Sequence, residues 1–194
     1  GLRQAPERCP VSELKPDNEA LCLAALRDFD RDRYLASLLT PADRRAAVVA
    51  LYAYNAELAR VRDLVREPLP GEVRLQYWRD LLEGGGHGET AANPVAAELL
   101  RVVKEHGLPV APLIAMADAR IFDLYDDPIE TTVMFEGYAG ETAAALIQLV
   151  SLVLDRTEAE RAFNIVGHSG VALAVAGSLL LLPIHRARGQ LYIP

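Results

Sequence analysis

Four carboxylates, Asp118, Asp123, Asp126 and Asp127, crowd one short stretch of this chain. Convergent oxygens of this kind are what a divalent cation needs. Asp118 and Asp123 lie five residues apart, however, and do not share a helical face. A solvated helix end is the competing reading. A second polar set, Asn55, Glu57, Arg60, Arg62 and Asp63, threads an otherwise apolar helical pattern, where it either lines a cavity or faces solvent. Tyr34 stands beside Asp28, Asp30, Arg31, Asp32 and Arg33, a solvated charged face or a ligand contact. Other catalytic signals are weak. There is no His pair at metal spacing, no Gly-x-Ser-x-Gly, no Cys–His signature and no dinucleotide fingerprint. His168 and Ser169 are adjacent, so on a helix they point about 100° apart and do not form a base and nucleophile. The GGGHG run at 84–88 lacks the preceding strand and the following Lys-Ser/Thr of a phosphate loop, which leaves His87 an exposed loop residue.

The elements that must position these residues read as helices. Residues 41–67 predict one long helix, with Thr40 as N-cap, Pro41 at the first helical position and Asp43 beside the positive end of the dipole. Its apolar residues Val48, Leu51, Tyr52, Leu58, Val61 and Val65 fall on one face. Before it, Asp17 caps a helix over 18–27, and a second helical segment covers 28–39. After it, PLPG at 68–71 reads as a turn and 72–83 as a helix. Asn93-Pro94 opens a helix that stops at Gly107, and Pro109 or Pro112 starts another to about Tyr125. Thr131 or Thr132 caps a helix to about Leu154. Thr157 with Glu160 forms a capping box for a last helix to Leu182, before a basic, irregular end. No segment alternates with period two, so about seven or eight helices and no sheet are expected.

The 194 residues suit one domain, 17–194, behind an irregular leader at 1–16. A net charge of −7 excludes a nucleic-acid footprint. Cys9 and Cys22 make neither a disulfide framework nor a metal cluster and read as reduced thiols. The apolar run 171–184 is too short to span a bilayer and reads as a buried core helix. No signal segment is visible. These features together give a cytoplasmic location as the expectation, with a peripheral membrane position as its extension.

Three stretches in order carry a resemblance. DRDRYLASLLTPADRRAAVVALYAYNAELARVRD, DLYDDPIETTVMFEGYAGETAAALIQLV and SGVALAVAGSLLLLPIHRARGQLYIP resemble successive segments of the squalene/phytoene synthase family. The resemblance covers about residues 22–194. It implies an all-α, isoprenoid-synthase-like bundle around a central cavity, with the family's further C-terminal helices missing here. In active members two Asp-rich motifs hold Mg²⁺, which holds the departing diphosphate.

This chain departs from that pattern at the decisive positions. The first motif falls on Ala59, Arg60, Val61, Arg62 and Asp63, so that only Asp63 is a carboxylate. The second falls on Leu181 and His185. Arg60 is suited to contact a diphosphate directly, which gives binding without metal-driven ionisation. Such motif loss resembles a branch that includes the mitochondrial complex I assembly factor related to phytoene synthase. The expectation is therefore a non-catalytic binding or assembly protein, holding an isoprenoid or lipid, with no cofactor. The alternative is an active farnesyl or geranylgeranyl diphosphate transferase with Mg²⁺ on Asp63, Asp118, Asp123 or Asp126. A third reading is a helical domain that only docks on a partner. Tyr34, Tyr52, Asn55 and Arg62 are the cavity candidates. The partners expected are an isoprenoid or lipid ligand, a protein or a second copy, and no nucleic acid.

Overall fold

The computed structural model describes residues 17–85, 92–125 and 127–194, which contain helices and no strand. The expected leader at 1–16, Cys9, His87 and Asp126 lie outside the described residues.

Capping side chains fix several helix starts as the sequence predicts. Asp17 accepts from the Ala20 amide at 2.8 Å and opens α1 (Asn18–Phe29). The boundary expected between residues 27 and 28 falls instead at Asp30, which ends α1 and caps α2 (Arg31–Leu38) through the Arg33 amide. Asn93 caps α6 (Pro94–His106), which closes on Gly107 in the left-handed conformation, φ 56°. Thr131 caps α8 (Thr132–Ala139) through the Met134 amide.

The long helix expected over 41–67 is broken. Pro41, not Thr40, is the N-cap of α3 (Ala42–Ala59). The chain turns at Arg60, and a four-residue α4 (Val61–Leu64) follows before Val65 becomes extended. No Gly or Pro marks that turn. Its benefit is packing, since the new direction buries Val61 to 4% exposure. The PLPG stretch is not a turn but the first coil of α5 (Pro68–Leu82), because proline at the start of a helix gives up only an amide that has no partner there. Toward the C-terminus, Asp155 rather than Thr157 caps α10 (Arg156–Arg161). Ala162 separates it from α11 (Phe163–Leu180). The basic end is helical in part, as α12 (Leu182–Ala187), with Pro183 again in the first turn.

The main core joins α1, α3, α5, α6, α7 (Val110–Ala119) and α9 (Ala145–Leu154). Tyr54 is fully buried at its centre, packs edge-on against Trp78 at 5.2 Å and donates its hydroxyl to the Leu113 carbonyl at 2.8 Å. That bond satisfies the one polar atom the ring brings inside. A second, smaller core gathers Ile129, Phe135 and Ala139 with Phe122, Tyr138, Val171, Ala174 and Tyr192.

Between α8 and α9 the helix widens into a π-helical turn, Gly140–Ala144, against which α11 lies. Gly170 makes that approach possible, because a Cβ there would sit 2.5 Å from Ala144 Cα and 2.6 Å from its amide nitrogen. Beyond Val166, Val171 and Ala174, most of α11 is exposed. The sequence predicts a buried helix over 171–184, yet only 11% of α11 is buried, and Leu173, Leu179 and Leu180 are exposed. The uncharged run also begins earlier than the apolar run, at Phe163, through Asn164, Gly167, His168 and Ser169. By length and composition, α11 and the segment Thr132–Leu154 are each able to cross a membrane.

Candidate functional site

Of the positions expected for the two motifs, Asp63 near the end of α4 reaches the segment after the second through Arg188. Ala59 is exposed at the last turn of α3, and Arg60 is half-buried behind it. The Arg60 guanidinium lies 3.4 Å above the centre of the Phe29 ring and donates to Glu57 at 3.2 Å. Asp63 accepts from Arg188, with Nη1 2.6 Å from Oδ1, across 125 residues of chain. Arg188 follows α12, the helix that carries the second-motif position His185, while Leu181 lies exposed just before that helix. His185 stacks on Tyr192 with ring centres 4.6 Å apart. Burial lowers its pKa; Asp123 and Asp63 pull upward and Arg188 downward.

Mg²⁺ requires several oxygens in near-octahedral order. These positions present a methyl group, two guanidiniums, an isobutyl group, an imidazole and one carboxylate, and the carboxylate already holds Arg188. The residues do not fit Mg²⁺. The alternative ligands fare no better. Asp118 is paired with Arg79 at 3.1 Å, and Asp123 with Arg120 at 3.1 Å. Among the described residues, no group of three or more His, Cys, Asp or Glu side chains converges as a metal site.

Asp123 is instead the centre of a buried polar knot. It is 6% exposed, on the 3₁₀ turn Phe122–Leu124. Its Oδ1 accepts from the Tyr138 hydroxyl at 2.8 Å and the Tyr192 hydroxyl at 2.9 Å, and its Oδ2 accepts from Arg120. Arg120 also donates to the Tyr138 oxygen at 2.8 Å. Gln190 donates to the Asp123 carbonyl at 3.1 Å, and the Ile129 amide to the Leu191 carbonyl at 2.9 Å. The last residues are thereby tied to the α7–α8 connection. Burial raises the pKa of both tyrosines, so they stay protonated donors. Burial works against charge on Arg120, but Tyr138 and Asp123 outweigh it and raise its pKa.

This knot was not read from the sequence. Asp123 was visible only as one of a run of acids, and Arg120 carried no signal of its own. Tyr138 and Tyr192 lie within the second and third stretches that carry the family resemblance, which was the available clue.

Two cavities flank the π-helical turn. One of about 200 Å³ is walled by Ala119, Phe122, Ile129, Met134 and Tyr138, with Asp118 and Glu141 also lining it. One of about 340 Å³ lies between α7, α9 and α11, with Leu149, Leu152, Phe163 and Val166 in its walls and Gln148 the sole polar side chain. The expected cavity residues line neither. Tyr34 and Tyr52 are half-buried against the main core, with the Arg33 guanidinium 5.9 Å from the Tyr52 ring centre. Asn55 is buried in α3 at 4% exposure, and Arg62 is half-buried on α4.

Residues 26–194 match the family described as squalene/phytoene synthase. The chain is 35% identical to a NADH dehydrogenase (ubiquinone) complex I assembly factor 6 from Rattus norvegicus, over 92% of this chain and 54% of that protein. It is 35% identical to the Homo sapiens protein of the same name, over 89% and 52%. A Drosophila melanogaster homolog is 27% identical, over 84% and 50%. The chain therefore spans about half the length of the curated relatives it matches. Among solved structures, a dehydrosqualene synthase in complex with ligand superposes with a TM-score of 0.71 at 20% identity, over 84% of this chain and 56% of that one. That likeness is one of fold: an all-α isoprenoid-synthase bundle.

Proposed function

The chain belongs to the squalene/phytoene synthase family, and on that premise we propose that it is a non-catalytic, assembly-type member. The observation that carries this reading is the Asp63–Arg188 ion pair. In a working prenyl transferase, cations on carboxylates stabilise the charge of the departing diphosphate. Here the one remaining motif carboxylate is held by a guanidinium of the protein itself.

The relatives named as complex I assembly factors support a protein partner. The partner proposed is a component of an NADH dehydrogenase complex during its assembly. A peripheral membrane position belongs to the same reading, because α11 offers Leu173, Leu179 and Leu180 to its surroundings. A cytoplasmic location has no support beyond the sequence. An isoprenoid or lipid occupant is the finer proposal. Its place is the apolar cavity of about 340 Å³ between α7, α9 and α11, which falls within the size range of small-molecule pockets, about 300–1,000 Å³.

The test is direct. Pure protein is incubated with farnesyl or geranylgeranyl diphosphate, with and without Mg²⁺, and released pyrophosphate is measured. The expected result is release no faster than in the protein-free control. Mg²⁺-dependent turnover overturns the proposal.

A further inference from the structure

The smaller cavity shares the Tyr138 ring with the polar knot and combines three features. Its walls are apolar and aromatic: Phe122 and Tyr138, with ring centres 6.1 Å apart, face the same space as Ile129 and Met134. Two acidic residues of unequal status, Asp118 and Glu141, belong to its lining. Asp118 is paired with Arg79 at 3.1 Å, whereas the Glu141 side chain is exposed and makes no ion pair or hydrogen bond to another described residue. Arg120, the cation of the neighbouring knot, is engaged by Asp123 and Tyr138. Glu141 also stands on the π-helical turn Gly140–Ala144. Such widened turns are rare inside helices, and they are found frequently at functional sites because the inserted residue re-aims its neighbours.

An apolar, ring-lined space with one open carboxylate complements a cation on an aliphatic stem. At about 200 Å³ the cavity is below the size of ordinary small-molecule pockets and suits a single side chain. A guanidinium serves better than an ammonium. It is planar, it stacks on aromatic faces, and it can donate two parallel hydrogen bonds to one carboxylate.

We propose that this cavity receives an arginine side chain of a protein partner, with Glu141 as its counter-charge. The proposal rests on the assembly reading and gives that partner a recognisable feature.

The chain has two methionines, which makes the test selective. Met134 lines the cavity, whereas Met116 is 1% exposed in the main core and serves as the control. Methyl-labelled methionine NMR is recorded while acetyl-Gly-Arg-Gly-amide is titrated in, and again with its neutral citrulline isostere. The arginine peptide is expected to shift Met134 and not Met116, and to bind about fivefold more tightly than the citrulline peptide, the size of a partly exposed ion pair. Glu141→Gln, a change on an exposed side chain, is expected to erase that difference while the Met116 signal stays in place. Equal binding of the two peptides, a preference that survives in Glu141→Gln, or a Met134 signal that does not move overturns the assignment. Failure here leaves the pyrophosphate result untouched, so the cavity assignment and the assembly reading fail separately.

Discussion

Asp123 accepts from two tyrosines and an arginine in a largely buried place. Removing a partner from a buried ion pair is costly because the remaining charge is stranded without solvent. Asp123→Ala is therefore expected to cost about 3–5 kcal/mol in urea unfolding, since it leaves Arg120 charged and both hydroxyls without an acceptor. The half-exposed Asp63–Arg188 pair belongs to another class. Its side chains are 53% and 43% exposed, and such pairs contribute about 0–1 kcal/mol. Its importance lies in what it occupies rather than in what it stabilises. His185 supplies a pH dependence. Its folded pKa is lowered by burial, so between that value and the ordinary 6.5 the unfolded chain binds more protons. Stability then rises with pH through that window, is complete above about 6.5, and is lost as pH falls through it. His185→Gln is expected to remove this component from a series of denaturation midpoints taken between pH 5 and 8. Cys22 shows the same physics without a role at neutral pH: burial pushes its thiol up to about 12, so it remains protonated.

Helix α11 makes its closest approach at Gly170, with Val166, Val171 and Ala174 adding apolar contacts on the same side. Gly170→Ala would drive a methyl group into the backbone of Ala144. Overpacking of this kind costs about 1–3 kcal/mol. The expected result is a lower denaturation midpoint, with amide exchange in α11 accelerated more than in α3. If α11 exchange is unchanged, the seam at Gly170 is not what holds the helix. The elements also show where sequence reasoning reaches its limit. Capping side chains such as Asp17, Asn93 and Thr131 act on amides two or three residues away, so their effect is visible locally. The turn at Arg60 is not, because it is made by burial of Val61 against distant helices rather than by a local breaker. The PLPG stretch misleads for a related reason, as the same prolines that suit a turn also suit a first helical coil. The apolar run in α11 predicts burial, but hydropathy reports what a helix prefers and not what stands beside it.

At the scale of the whole molecule, the fold was legible from ordered motifs, and the scarcity of carboxylates at the expected motif positions is plain in the residues themselves. What replaced them was not. Asp63 and Arg188 are 125 positions apart, and no local pattern joins them. The polar knot is hidden for the same reason: it joins the α7–α8 connection to the final residues through Tyr192 and Gln190. The helices of the bundle remain, and Asp63 is engaged by a guanidinium of the chain itself. The measurement that tests this most directly is a Mn²⁺ titration of the protein followed by paramagnetic broadening of its amide signals, with Mn²⁺ standing in for Mg²⁺. The account predicts no site-specific broadening at Asp63 or around His185 at millimolar metal. Selective broadening at both places together would show that a divalent cation still bridges the two motif positions and would contradict it.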